Sequence, residues 1–143
     1  MERVHAFDVI AAQREPEARI DVVERSTGAG LTLDAAALVA QYRFASGDLL
    51  LVLDEDVPFE EVLHLVFVRD GRILDHLVIG VPYAAGLYRE LALSDDALHF
   101  AFWGDERFIL TRPDRAGRSL PRGVRRRGRW FAPPHLSLRA SGG

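Results

Sequence analysis

Apolar residues fall in short runs between Leu38 and Leu110, and each run ends at a turn-forming group. Ser46-Gly47-Asp48, Asp70-Gly71, Ser94-Asp95-Asp96 and Gly104-Asp105-Glu106 all stand between segments rich in Leu, Val, Ile or Phe. Strand-length runs joined by connections this short predict antiparallel pairing, because a parallel crossover needs a dozen or more residues. Asp70-Gly71 is the strongest of these signals and predicts a hairpin with Val62 to Arg69 and Arg72 to Gly80 as its arms. Leu49 to Leu53 is continuously apolar and reads as a strand covered on both faces. Leu87 to Leu93, Ala97 to Trp103 and Arg107 to Arg112 predict three further strands. Leu98, Phe100 and Phe102 share one face and, with Leu91, are candidate core; His99, Ala101 and Trp103 share the other face.

The first third of the chain is less regular. Ala6 to Arg14 fits a short helix or a strand, and Glu15-Pro16-Glu17 interrupts either. Ile20 to Val23 reads as a strand that ends at Ser26-Thr27-Gly28-Ala29-Gly30. Asp34 is placed as an N-cap, which predicts a helical turn before a strand over 37–44. There Leu38, Ala40, Tyr42 and Phe44 alternate with Val39, Gln41 and Arg43. The whole pattern predicts an all-β fold, a single-domain antiparallel meander of about 7–9 strands, forming a sandwich or a flattened, partly open barrel. Turn signals recur at similar spacing, but 143 residues are too few for a propeller of about four 40-residue blades.

Composition adds two constraints. Cysteine is absent, which removes disulfides, thiol nucleophiles and zinc–thiolate sites. All 18 basic residues are arginine, with neither Lys nor Asn present, so no Schiff-base lysine or P-loop lysine is available. No apolar stretch approaches the roughly 18 residues of a membrane span, and no signal peptide is visible, so a cytoplasmic location without membrane contact is expected.

Charge divides the chain. From Arg112 onward there are nine arginines against one acid, a net +8, while residues 1–111 carry a net −11. The expected organisation is an antiparallel β domain over 1–112 and a basic Arg/Gly/Pro-rich tail over 113–143, docked or disordered. Docking through Trp130 and Phe131 is the preferred form, because an exposed aromatic pair is a liability.

Three groups of residues are candidates for a site. Asp54, Glu55, Asp56, Glu60 and Glu61 form an acidic patch around Val57-Pro58-Phe59, and its simplest reading is a solvated loop between two strands. His64 and His76 lie on the two arms of the Asp70-Gly71 hairpin. A two-residue turn sets His64 opposite Leu77 and sends the histidines to opposite faces, whereas a three-residue bulged loop sets them directly across from each other. Only the second register offers a metal pair, with a third ligand still missing, so satisfied, partly buried histidines are preferred and no metal or cofactor is assigned. Arg122, Arg125, Arg126, Arg127, Arg129 and Trp130 make a basic cluster with the makings of a phosphate and base contact. The overall acidity disfavours nucleic acid as a partner.

No Gly-x-Ser-x-Gly elbow or phosphate-binding loop is present, and no catalytic residue is assigned. Leu53 to Glu61, followed by strand, Asp-Gly turn and strand, resembles small bacterial proteins, and the resemblance implies no function. The expectation drawn from charge is a non-enzymatic module that binds a protein with a basic surface, immunity- or inhibitor-like in its most concrete form. The alternative is a small-molecule-binding or enzymatic β cup lined by His64, His76, His99 and the nearby carboxylates. A third reading, weaker, is an RNA-associated protein acting through the arginine-rich tail. A deep cavity with convergent polar groups would favour the cup.

Overall fold

The structure is a computed structural model that describes residues 1–57, 60–82, 87–102, 106–112, 119–128 and 133–141, leaving aside the side chains of 56, 57, 60, 81 and 82. Thirteen strands are formed among these residues: β1 (Glu2–Arg3), β2 (Phe7–Gln13), β3 (Arg19–Glu24), β4 (Gly30–Leu33), β5 (Ala37–Arg43), β6 (Leu49–Val57), β7 (Glu60–Arg69), β8 (Arg72–Pro82), β9 (Arg89–Ser94), β10 (Ala97–Ala101), β11 (Arg107–Thr111), β12 (Val124–Arg127) and β13 (Ser137–Ser141). The all-β expectation holds, with more strands than the 7–9 read from the sequence. They build three antiparallel sheets, in the orders β1-β5-β6-β7-β8-β12, β13-β11-β10-β9 and β2-β3-β4, and no closed barrel.

The six-stranded sheet is the middle layer. Tyr42, Phe44, Leu50, Val52, Leu63, Leu65, Phe67, Leu77 and Ile79 pack on one of its faces against Leu98, Phe100, Phe108, Leu110, Leu136 and Leu138 of the four-stranded side. On the opposite face, Leu49, Leu51, Leu53, Val66 and Val68 meet Phe7, Ile20, Val22 and Leu33 of the three-stranded sheet. The continuous run Leu49–Leu53 is therefore buried on both sides, as its composition predicts.

The 62–80 segment is the predicted hairpin. Arg69 pairs with Arg72 across Asp70 and Gly71, whose φ values of 51° and 73° are those of a two-residue turn with both central residues left-handed. Gly71 is required twice over, since a Cβ there would also stand 3.1 Å from the Ala29 methyl. One residue pair beyond the turn the register shifts: Val68 faces Ile73 but Phe67 faces Asp75, leaving Leu74 as the extra residue of a bulge.

Of the helix and strand alternatives for Ala6 to Arg14, the strand is formed, as β2 (Phe7–Gln13). Two local expectations are corrected. No helical turn follows Asp34. Leu91 is 39% exposed and not core, because β9 shifts register between Ala92 and Glu90 and Leu91 is the residue left over. Leu98, Phe100 and Phe102 are buried as expected.

Two segments of the basic stretch enter the sheets. β12 pairs with β8 at one edge of the middle layer, and β13 pairs with β11. Asp75 ties them together. Its Oδ2 accepts from the backbone N–H groups of His135 and Leu136 (2.8 and 2.9 Å) and from the Arg126 guanidinium, which also donates to the Leu136 carbonyl at 3.1 Å. Docking through Trp130 and Phe131 lies outside the described residues, as do Arg129 and the predicted turn at 104–105.

Two substitutions test this account. Phe100→Ala removes a fully buried ring and is expected to destabilise the fold by about 3–5 kcal/mol in urea unfolding; a loss under about 1 kcal/mol would mean the ring does not face the core. Asp75→Ala removes the buried carboxylate that the Arg126 guanidinium and two backbone N–H groups share. The expected loss is about 3–5 kcal/mol, read by the same measurement.

Candidate functional site

The three-stranded sheet covers only part of the middle layer. Where it ends, the same face changes from apolar to polar. Pairing sets Leu53 opposite His64, His64 opposite Val78, Val66 opposite His76, Val78 opposite Arg125 and His76 opposite Arg127. Because side chains alternate, Glu55, His64, His76, Arg125 and Arg127 all project from this one face. The Leu74 bulge makes this so. Without the extra residue, the two-residue turn would send the histidines to opposite sides, and neither register read from the sequence is the one observed. His64 and His76 are diagonal neighbours on adjacent strands, within reach of long side chains.

They form a continuous hydrogen-bonded chain. His64 Nδ1 lies 2.7 Å from His76 Nε2, and His64 Nε2 lies 2.9 Å from Glu55 Oε1. His64 is 3% exposed. Two nitrogens bound to one tetrahedral metal at about 2.05 Å would stand about 3.3 Å apart, so the 2.7 Å separation is a hydrogen bond. Among the described residues no group of three or more histidine or carboxylate side chains is placed to hold a metal ion.

Burial sets the protonation of the chain. Desolvation penalises the imidazolium form, with the positive charges of Arg127 and Arg125 acting in the same direction, and pushes His64 down to about 4. His76 is lowered to about 3, by burial first and then by its histidine neighbour. Burial raises Glu55, against the pull of Arg127. Both imidazoles are neutral at physiological pH.

Glu55 and His64 open onto a cleft of about 860 Å³. Arg125 and Arg127 of β12 form one wall, and Asp34 with the 14–18 connection between β2 and β3 forms the other. Arg127 and Asp34 approach to 3.5 Å across it. Asp34 is thus a cleft residue and not a helix cap. Arg14, Glu15 and Glu17 also line the cleft, and sequence reasoning missed them; Glu15-Pro16-Glu17 showed only as a break in the pattern.

The acidic patch is not a loop. Asp54, Glu55 and Asp56 continue β6, and Glu60 and Glu61 begin β7, with Asp56 paired to Glu61. Only Glu55 of this group joins the histidines; the side chains of Asp56 and Glu60 lie outside the described part. His99 stands apart: it lies on β10 in the outer four-stranded layer, facing away from the core that Leu98 and Phe100 enter. Of the basic cluster, Arg125 and Arg127 belong to the cleft, Arg126 points to the opposite face and binds Asp75, and Arg122 is exposed in the turn before β12.

Fold and site together define a three-layer antiparallel β protein with a polar cleft over its middle sheet. Compared with known protein families, curated proteins and solved structures, the chain matches none.

The depressed imidazoles have a consequence for stability. Between pH 6.5 and about 4 the unfolded chain binds protons at His64 and His76 that the folded chain refuses, so their contribution is complete above pH 6.5 and is lost as the pH falls. The raised Glu55 has the opposite slope above 4.5, one group against two. The wild-type chain is therefore expected to lose more thermal stability from pH 7 to pH 5 than a His64→Gln/His76→Gln double variant, with Tm measured for both across that range.

Proposed function

We propose that the protein binds a small polar molecule carrying both a positively charged or N–H group and an anionic group, held in the cleft over Glu55 and His64. The observation that carries this reading is convergence: Glu55, His64 and Arg125, from three different strands, line one cleft of about 860 Å³. That volume is within the range of small-molecule sites, about 300–1,000 Å³. Its lining differs from the usual apolar one in being mostly charged, with Arg14, Arg125 and Arg127 on one side of the balance and Glu15, Glu17, Asp34 and Glu55 on the other. A purely apolar ligand would leave those groups desolvated and unpaired, whereas a dipolar one satisfies both signs. Arg125 is the anion contact and Glu55 the contact for the ligand's donor. The absence of cysteine and the lack of any helix, among the described residues, long and apolar enough to cross a membrane support a cytoplasmic setting as part of this reading.

The reading as a module for a basic protein partner rests on the −11 charge of residues 1–111. It has less support, because Arg125 and Arg127 stand close enough to Glu55 to lower its pKa and so offset the acidic patch locally.

Titration with a panel of amino acids, dipeptides and small dicarboxylates tests the proposal, with the side-chain resonances of Glu55, His64 and Arg125 as the readout. At least one compound is expected to shift all three. Arg125→Ala is expected to weaken its binding about tenfold or more, as the loss of one charge-assisted hydrogen bond implies. A panel that moves none of the cleft resonances, or an affinity indifferent to Arg125→Ala, would overturn it.

A further inference from the structure

We propose that Glu55, His64 and His76 form a proton relay across the middle sheet, in which the proton on Glu55 decides whether the outer nitrogen of His76 accepts or donates a hydrogen bond to a ligand in a second cleft. The relay is a property of the free protein and does not rest on the ligand proposed for the larger cleft.

The geometry leaves little choice of protons. An ionised carboxylate only accepts, so His64 Nε2 carries hydrogen and donates to Glu55. A neutral His64 then has a bare Nδ1, which accepts from His76 Nε2–H across 2.7 Å. His76 is left with an unprotonated Nδ1, the ring nitrogen that the relay does not engage. Adding one proton there reverses every bond. His76 Nδ1 gains hydrogen, the Nε2 proton of His76 passes to His64 Nδ1, and the Nε2 proton of His64 passes to Glu55. The chain then holds one more proton, both imidazoles are still neutral, and the carboxyl group stores it. Burial favours this outcome over an imidazolium at either ring, since no ring charge is created in the desolvated layer. The charges acting on the relay come from Arg125 and Arg127 of β12, Asp34 between β4 and β5, and Arg14, Glu15 and Glu17 of the 14–18 connection on its own side, and from Asp75 on the other face of β8.

The two ends of the relay meet different clefts. Glu55 and His64 line the large one, whereas His76 lines a smaller one of about 280 Å³ with Leu74, Asp75, Arg126, Arg127, Gly128 and Pro133, where Asp75 and Arg126 are bound to each other and leave Arg127 to set the sign. At neutral pH His76 is an acceptor there and Arg127 a cation. The matching ligand is a small anion that also presents an O–H or N–H. A donor of that kind placed on His76 is also placed to lose its proton to the relay, which makes His76 the acid–base end.

Nitrogen-15 spectra of the full chain test the relay. At pH 7 both His64 and His76 are expected as the neutral Nε2–H tautomer, with a ¹⁵N–¹⁵N coupling between His64 Nδ1 and His76 Nε2. As Glu55 Cδ titrates on acidification, both rings are expected to change to the Nδ1–H tautomer without an imidazolium signal. An Nδ1–H or cationic ring at pH 7, a missing coupling, or a Glu55 that titrates while the tautomers stay unchanged would overturn the relay; the neutral-pH tautomers alone suffice to do so. Glycolate, which carries an anion and an O–H, is the probe for the second cleft, and acetate its control. Glycolate is expected to shift His76 and Gly128 at least several-fold more than acetate at equal concentration, and equal shifts or none would overturn the ligand class.

Discussion

A sheet that is apolar on both faces has to be covered twice, and the rest of this structure follows from that requirement. Leu50 and Val52 point one way from β6, Leu49, Leu51 and Leu53 the other, and all five are buried. Leaving either set in water would forgo on the order of 25 cal/mol for each Å² of apolar surface. The chain supplies a four-stranded cover on one side and a three-stranded cover on the other. The covers are unequal. Beyond the edge of the smaller one, the exposed part of the face is polar, and the cleft over Glu55 and His64 is the space that the shorter cover leaves.

A single inserted residue arranges the polar groups. Successive side chains of a strand alternate between faces, so displacing the pairing by one residue exchanges the two sides. The Leu74 bulge does this to all of β8 beyond it. It turns Asp75 inward to the main core, where it binds Arg126 and the backbone at 135–136, and it turns His76 to the opposite face beside His64. Without the bulge, Asp75 would face the cleft and His76 would enter the core without its partner. The buried carboxylate and the imidazole chain share this one cause.

Two further polar clusters are paired in and around the core, although the buried Arg112 Nε of the second has no hydrogen-bond partner among the described residues. The Tyr42 hydroxyl donates to Glu90 at 2.8 Å and lies 2.5 Å from the Tyr88 hydroxyl, with burial raising both phenols. Asp48 accepts two hydrogen bonds from Arg69 at 2.9 Å, while the Arg112 guanidinium stands 5.3 Å over the Phe67 ring. These clusters close the ends of the sheets. They differ from the Glu55 chain in lining neither of the two clefts described.

The sequence by itself determined the strands and their turns. Asp70-Gly71 accepts two left-handed residues, Leu49–Leu53 demands burial on both faces, and Leu98, Phe100 and Phe102 identify a core; each of these signals lies within a few adjacent residues. It also determined what chemistry is absent, since a chain without Cys or Lys has no thiol or amine nucleophile on a side chain. Tertiary structure alone decided which polar residues meet. His99 looked equivalent to His64 and His76 but lies in a different layer, Leu91 looked like core but is the spare residue of a bulge, and Asp34 looked like a cap but faces Arg127 from 93 positions away. The reason is physical. Alternation and turn chemistry are set by neighbours along the chain, whereas bulge position, register and the extent of a covering sheet depend on packing between segments far apart in sequence, and a shift of one residue in that packing moves a side chain to the other face.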